Sequence, residues 1–412
     1  MGRNRRNIRD RRIFIKDYSK QIKIGLPIIV MVICIIILSI RVYRTNEERR
    51  YEEAMNNEIY NINIELTEEE AANLEAQTKR NVSLSVTILG NILCENNILN
   101  QAQNNEYNFS NIFNNVKKHT SDSDITIASI ETNFVNQNYS GNINYNSPKN
   151  LANEIKNIGV DIGFLSNNHS IDYGINGIKE TITNLKEIGL DTVGIKSSEE
   201  ESSILIKEYR NIKIAFLSYT YGTNKKEEGY EKYINLISKE TIENDILKAK
   251  EKGAEYIIAS MHWGNAVGSK LTNEQKELSE FLVNSGVDII LGNHPSSIQK
   301  METRVNDEGK DVLIVYSIGN FISSEQYQNS NLGMILKLDL IKMAEDDKVY
   351  LNKVTYVPTY IQDNSINSKN RYQILDIKEE ISNYESGLKN IDEKTYKNLK
   401  QGLIRIKELI NG

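Results

Sequence analysis

Short apolar runs alternate with longer amphipathic stretches from about residue 82 onward, the pattern of an α/β chain in which buried strands are followed by helices. The runs predict strands at Val82–Leu89, Ile125–Ile130, Asp161–Leu165, Ile212–Ser218, Tyr256–Met261, Val287–Leu291 and Val312–Tyr316. Apolar residues at helical spacing predict helices over Gly177–Glu187, Lys239–Lys252 and Asn273–Ser285. Two later segments, Leu332–Leu340 and Tyr350–Tyr360, alternate with period two and predict antiparallel strands. Residues 363–412 are expected to form a terminal helical segment of low apolar content. No internal repeat is visible.

The pattern before residue 82 is different. Residues 24–40, IGLPIIVMVICIIILSI, are seventeen positions without a charge. That is the short end of what crosses a bilayer, where about 20 residues are usual. A buried core helix would rarely follow so basic a segment. A cleaved signal would end in small residues, whereas this run continues Ser39-Ile40-Arg41-Val42-Tyr43-Arg44. The expectation is one uncleaved transmembrane signal anchor. Residues 1–23 hold nine Lys/Arg against Asp10 and Asp17, a net of +7. That bias places the head in the cytoplasm and the body outside the cell membrane. Residues 41–80 are charged and helix-prone, and predict an extracellular helical stalk leading to a domain over 81–362.

The whole chain carries −6, so the part beyond the basic head carries −13. An acidic body argues against nucleic acid as a partner, because neutralising phosphates takes a basic face. Of the two cysteines, Cys34 falls in the apolar run, so a disulfide with Cys94 is not expected.

Candidate chemistry gathers just after the predicted strands, where α/β sheets place their binding loops. These loops are Leu89-Gly90-Asn91, Ser129-Ile130-Glu131-Thr132, Ser166 to Gly174, Met261-His262-Trp263-Gly264, Gly292-Asn293-His294-Pro295 and Tyr316 to Phe321. Three of the four histidines of the chain, His169, His262 and His294, lie in them. With a carboxylate and amide oxygens nearby, such imidazoles suit a borderline divalent ion (Mn, Zn or Fe) rather than Ca. Asp172, three residues after His169, either orients that imidazole or caps the following helix. Trp263 packs beside the site, and Ser317 and Asn320 are further candidates to line it.

Taken in order, the loops resemble the CapA/PgsA family of poly-γ-glutamate capsule proteins. The family pattern runs GD, NLE or NFE, ANNHxxDxGxxG, HWGxE, GxHPH and YSxGNF. Here the matching stretches are GN at 90–91, SIE at 129–131, SNNHSIDYGING at 166–177, HWGNA at 262–266, GNHP at 292–295 and YSIGNF at 316–321. The resemblance covers roughly residues 82–325 and implies a four-layer α/β/β/α sandwich of the calcineurin-like metallophosphatase type. It implies that Glu131, Asn168, His262 and His294 hold one metal ion, with Glu131 as the bridging carboxylate. It also implies His169 as the general acid or stabiliser of charge. The departures are Asn91 where the family has Asp, Ser296 where it has the second His of HPH, Ala266 for the Glu of HWGxE, and Ser129 for the Asn of NLE. Asn91 and Ser296 fall on one metal position, which therefore looks degenerate, while the other keeps its ligands.

What the resemblance implies about function is a membrane-anchored accessory subunit in synthesis, export or surface retention of an anionic γ-glutamyl polymer. Its partners would be a capsule ligase and integral-membrane components of the polyglutamate synthase. The alternative is a surface hydrolase of phosphate esters or amides that works with one ion.

Overall fold

β-Branched and aliphatic runs condense into two sheets, and the longer amphipathic stretches become helices on them. The computed structural model describes residues 43, 46–52, 55, 59–60, 81–364, 370–388 and 390–412. The chain divides into two units, Met1–Asn56 and Asn57–Gly412. In the first, Tyr43, residues 46–52 and Met55 are helical, and the Tyr43 hydroxyl donates to Glu47 Oε1 at 2.9 Å. The expected head 1–23, anchor 24–40 and most of the stalk 41–80 lie outside the described residues. Among the described residues, no helix is long and apolar enough to cross a membrane.

The strands of the second unit are, in chain order, β1 (Ile59–Tyr60), β2 (Val82–Ile92), β3 (Ile125–Ile130), β4 (Ser140–Asn142), β5 (Asn144–Asn146), β6 (Ile162–Phe164), β7 (Asp191–Val193), β8 (Leu205–Tyr209), β9 (Ile212–Thr220), β10 (Tyr256–His262), β11 (Ile289–Asn293), β12 (Met301–Val305), β13 (Asp311–Val315), β14 (Asn320–Ile322), β15 (Leu332–Lys342), β16 (Val349–Asp363) and β17 (Tyr372–Asp376). The larger sheet has the order β1-β16-β15-β2-β3-β6-β7, with β14 beside the end of β2 and β17 beside β16. The smaller sheet runs β12-β13-β11-β10-β9-β8. Strands β2, β3, β6 and β7 are mutually parallel, as are β9, β10, β11 and β13. All the catalytic-type loops named above therefore leave their sheets at the same, carboxyl-terminal ends.

Each sheet carries helices on one face. Helices Asn96–Gln103, Lys149–Asn157 and Gly174–Glu187 share a core with Leu89, Ile92, Ala128 and Ile130 of the larger sheet. Helices Lys239–Glu251 and Asn273–Ser285 pack Ile242, Ile246, Leu278 and Leu282 against Leu217, Ala259, Met261 and Ile290 of the smaller one. The alternate residues, pointing the other way, are buried too: Val86, Ile88 and Ile127 in one sheet, Phe216, Ile258 and Leu313 in the other. Strands covered on both faces must be apolar almost throughout, which is why the sequence shows runs rather than alternation there. The result is the expected α/β/β/α layering.

Three expectations change. The strand expected from Val287 begins at Ile289: the Asp288 backbone already bonds to Ile257 O and Leu313 N–H, but its carboxylate, paired with Lys310, takes the Ile257 N–H at 2.7 Å in place of a backbone carbonyl, so regular pairing starts one residue later. Within the segment 363–412, Tyr372–Asp376 is not helical but forms β17 against β16. Asp376 ends that strand by accepting the N–H groups of Lys378 and Glu379, which starts helix Ile377–Glu385. The last helix, Glu393–Asn411, buries a stripe of Leu399, Leu403, Ile406 and Ile410, so it packs on the body. Within the expected helical stalk, Ile59 and Tyr60 are extended and pair with Thr355 and Val354, as suits a β-branched and an aromatic residue at a sheet edge.

Candidate metal centre

Loops from both sheets converge at the carboxyl ends of β2, β3, β6, β9, β10 and β11. His262 ends β10 and Asn293 ends β11, and the two pair in register across the parallel ladder. His294, the next residue, has φ of +87°. A non-glycine residue in that left-handed region, directly before Pro295, stores strain that persists where surrounding structure holds it, commonly at a functional site. Gly292 makes the bend possible, because a Cβ there would lie 1.9 Å from Tyr316 O.

Glu131, His262 and His294 present ligand atoms that all lie within 4.8 Å of one another. His262 is fully buried and its Nδ1 is 4.0 Å from Glu131 Oε1. Asn293 turns its Nδ2 to Ser260 Oγ at 2.7 Å, so its Oδ1 faces His262 Nδ1 at 2.6 Å and fixes the ring proton there. Nε2 is left with its lone pair, 2.9 Å from Asn168 Oδ1. Two acceptors so close repel one another unless a cation is shared between them. Ligand bonds of about 2.0–2.1 Å at right angles put neighbouring ligand atoms about 2.9 Å apart. The donor set of two imidazoles, one carboxylate and one amide oxygen therefore fits a divalent ion of the Mn, Zn or Fe kind.

The electrostatics point the same way. Burial, then the neighbouring His294 ring, drives the His262 pKa well below its ordinary value. Burial takes His294 down to about 4. Both rings are therefore neutral, as ligation requires. Burial raises Glu131 well above the usual carboxylate range, with Glu325 and Glu95 adding to the shift. Glu131 is 2% exposed and its Oε1 has no hydrogen-bond partner. A buried carboxylate oxygen without a donor costs about 1–3 kcal/mol or more, and a cation is what would offset it.

His169 is nearby but differently held. Its Nδ1 lies 2.7 Å from Asp172 Oδ2, and the same oxygen accepts the Tyr145 N–H at 2.8 Å. The Tyr145 ring meets the imidazole edge-on, 4.3 Å between centroids. Helix Gly174–Glu187 has Tyr173 at its N-cap with no side-chain cap, so of the two roles open to Asp172 it takes the orientation of His169.

The other sequence candidates separate. Asn91 is 1% exposed and donates through Nδ2 to Asn320 Oδ1 at 3.3 Å and Pro295 O at 3.5 Å. Ser317 donates to the same Pro295 carbonyl at 2.9 Å, so Ser317 and Asn320 hold the loop and the Asn91 amide. Ser296 donates to Glu325 Oε2 at 2.5 Å. Trp263 is a correction. It is fully buried in the helix-side core of the smaller sheet, stacked on Tyr316, with its indole N–H on Tyr316 O at 3.0 Å. Its large apolar ring supports the loop from behind and does not line the site.

Several roles and neighbours were not foreseen. Asn293 sets the His262 tautomer. Tyr221 leans on both His262 and His294, at 5.9 and 5.2 Å between centroids. Asn224 Nδ2 lies 3.3 Å from His169 Nε2, and Lys225 Nζ donates to Asp172 O at 2.7 Å. Tyr221 to Lys225 form the loop after β9. Its position at a strand end was the available signal, but it carries no distinctive motif.

The body is a layered α/β fold of the calcineurin-like metallophosphatase type, with a histidine–carboxylate–amide cluster at its strand ends. Residues 85–325, more than half of the chain, match the family described as bacterial capsule synthesis protein PGA_cap, and the chain belongs to that family. Among curated relatives it is 32% identical over 98 residues to the capsule biosynthesis protein CapA of Bacillus anthracis, covering 23% of each chain. It is 22% identical over 155 residues to the PGA biosynthesis protein CapA of Bacillus subtilis (strain 168), covering 36% of this chain and 38% of that one. The aligned stretches thus span about a quarter to two fifths of those relatives. Similar solved structures include a phosphatase from Mycoplasma pneumoniae, at 16% identity and TM-score 0.39 over 67% of this chain and 93% of that one. Another is the calcineurin-like phosphoesterase YfkN from Bacillus subtilis, at 14% identity and TM-score 0.40 over 80% of this chain and all of that one.

Proposed function

We propose that the chain is a membrane-anchored extracellular subunit that helps assemble, export or hold an anionic γ-glutamyl polymer, using one divalent ion held by Glu131, Asn168, His262 and His294. The carrying observation is the pair of neutral imidazoles, His262 buried and His294 partly so, beside a buried carboxylate oxygen that has no hydrogen-bond partner. The body beyond residue 23 is net negative, so long-range attraction for a polycarboxylate is absent and recognition has to be local. A divalent ion in this cluster supplies the positive charge that would receive a carboxylate of the polymer. The chain's own part is to hold the ligands preset. Asn293 fixes the His262 tautomer, the left-handed turn at His294 aims its ring, and the Tyr221 ring covers both. Partners of the kind the family resemblance implies, a ligase and integral-membrane components, would bring the polymer to this face.

A second reading, a one-ion hydrolase, is favoured by the His169–Asp172 pair, since a carboxylate-oriented imidazole beside a metal cluster is what proton transfer to a leaving group needs. One experiment separates them. The purified full chain is titrated with γ-glutamyl oligomers with Mn2+ present and with chelator, and the oligomers are then sized. Binding that needs the ion, with the oligomers intact, is the expected result. Shortened oligomers would favour the hydrolase, and equal binding with chelator would overturn both readings.

A further inference from the structure

The sequence departs from the family at Asn91 and Ser296, and the structure links the two through Pro295, whose carbonyl accepts from Asn91 Nδ2 at 3.5 Å and which directly precedes Ser296. Asn91 lies one residue before the end of β2, just past a bulge beside β3, and Glu131 follows β3, its N–H donating to Ile92 O at 3.0 Å. Both Asn91 N–H bonds of the amide point at acceptors, Asn320 Oδ1 and Pro295 O. The amide oxygen is therefore turned the other way, buried and without a hydrogen-bond partner. Glu131 Oε1 is the second such oxygen at neighbouring strand ends. Two orphaned acceptors at the ends of adjoining strands want either donors or a cation, and among the described residues no lysine or arginine pairs with Glu131.

A third oxygen comes from outside every motif. Glu325 lies four residues past Phe321, and its Oε2 takes the Ser296 hydroxyl at 2.5 Å. Its backbone is pinned on both sides, by Glu325 N–H to Ser323 Oγ at 3.0 Å and by Ser330 Oγ to Glu325 O at 2.7 Å. Behind it Glu95, 8% exposed, accepts from Ser323 Oγ and from Ser324 N–H at 2.9 Å. The carboxylate of Glu325 is thus fixed on the very hydroxyl that stands where an imidazole is expected.

We propose that Glu325 rebuilds the second cation position, which Asn91 Oδ1, Glu131 and Glu325 surround with oxygen alone. This rests on the preceding reading, in that Glu131 faces an ion held by the histidines. With a nitrogen-bearing pocket on one side of Glu131 and an all-oxygen pocket on the other, the two positions differ in preference. The first takes a borderline ion, and the second takes a hard one such as Mg2+, Ca2+ or Mn2+. Two carboxylates and an amide oxygen also bind less tightly than a set with two imidazoles, so the second ion exchanges more readily.

The test counts ions on the purified full chain, stripped of metal and equilibrated with Mn2+, by elemental analysis after dialysis. The native chain should hold two Mn2+, of which excess Mg2+ displaces one. Glu325→Gln should hold one, resistant to Mg2+, and that retained ion reports an intact fold. His262→Ala should lose the Mg2+-resistant ion. One ion on the native chain, or two on Glu325→Gln, would overturn the Glu325 proposal while leaving the histidine site standing. No ion on the native chain would overturn both. If Glu325→Gln holds none, Glu325→Asp decides: the Mg2+-sensitive ion should weaken tenfold or more, and an unchanged affinity would overturn the proposal.

Discussion

Two groups of histidine and carboxylate side chains bring their ligand atoms within 4.8 Å: Glu131–His262–His294 and His119–Asp376–Glu379. By spacing alone they are equals. In the second, every member has a task. His119 Nε2 lies 2.9 Å from Asp376 Oδ2, the other Asp376 oxygen caps helix Ile377–Glu385, and Glu379 pairs with Lys118. Burial pushes the Asp376 carboxyl up, but the His119 ring and two backbone N–H groups more than offset this and leave it below the usual range. In the first, a buried carboxylate oxygen has no donor and both imidazoles are held neutral. A satisfied cluster is architecture. An unsatisfied, desolvated one, assembled at strand ends by a strained turn, is the candidate site.

That contrast is broken most forcefully by pH. Without metal, above pH 6.5 His294 is neutral in both folded and unfolded chains and contributes no pH dependence. Between 6.5 and about 4 the unfolded chain takes a proton that the folded one refuses, so stability falls as pH falls. The loss should approach about 3 kcal/mol for His294. His262 adds to it in the same direction. Glu131, raised by burial, acts oppositely, losing stability as pH rises through its elevated folded pKa. Urea midpoints at pH 7 and pH 4.5 in chelator check the histidine part. His294→Asn, which tolerates the left-handed turn, should be markedly less acid-sensitive, and an unchanged slope would show that His294 is not held neutral.

Substitution at the two histidine groups should next separate metal affinity. His262→Ala removes a ligand and should weaken Mn2+ or Zn2+ binding a hundredfold or more, about 2.7 kcal/mol. His119→Gln should leave it unchanged. Comparable losses from both, by competition with a chromogenic chelator, would mean the two clusters are not different in kind.

The same contrast explains what could be read in advance. Both sheets were legible because doubly covered parallel strands are continuous apolar runs, and the long helices because their apolar stripes persist. The site histidines stood out because the chain has so few of them. Asn224 and Glu325 did not, and Asn293 was named only as a position in its loop, since asparagine and glutamate are abundant here and their roles depend on contacts between distant segments. The short β17 was hidden in a stretch with the composition of a helix. The left-handed turn at His294 leaves no sequence trace, and Trp263 stands within its motif while its ring points into the core.

Restoring the family residues should sharpen the asymmetry between the two sides of Glu131. Asn91→Asp with Ser296→His returns a charge and a nitrogen to the oxygen-only side, and should tighten its ion about tenfold or more, about 1.4 kcal/mol. Asn91→Asp alone should do less, because one ligand rarely fixes a site. In the double variant the added Glu325→Gln should cost little. Isothermal titration of each variant with Mn2+ is the check, and no gain from the double change would show that Asn91 and Ser296 do not border a cation position.

The smallest expected effect on metal binding belongs to the satisfied cluster and is a test of its being architecture only. Asp376 accepts two N–H bonds at the start of helix Ile377–Glu385 while bonding the His119 ring. Asp376→Ala strips the cap and leaves His119 without its carboxylate, so stability should fall by about 1–2 kcal/mol. Asp376→Asn keeps a capping oxygen and should recover most of that. Neither change touches a strand end that carries Glu131, His262 or His294, and the loss passes through the packing of β17 on β16 instead. Mn2+ affinity and ion count should therefore match the native chain in both variants at temperatures below unfolding. A fall in ion count with Asp376→Asn, where fold and cap are kept, would show that His119, Asp376 and Glu379 hold a cation of their own.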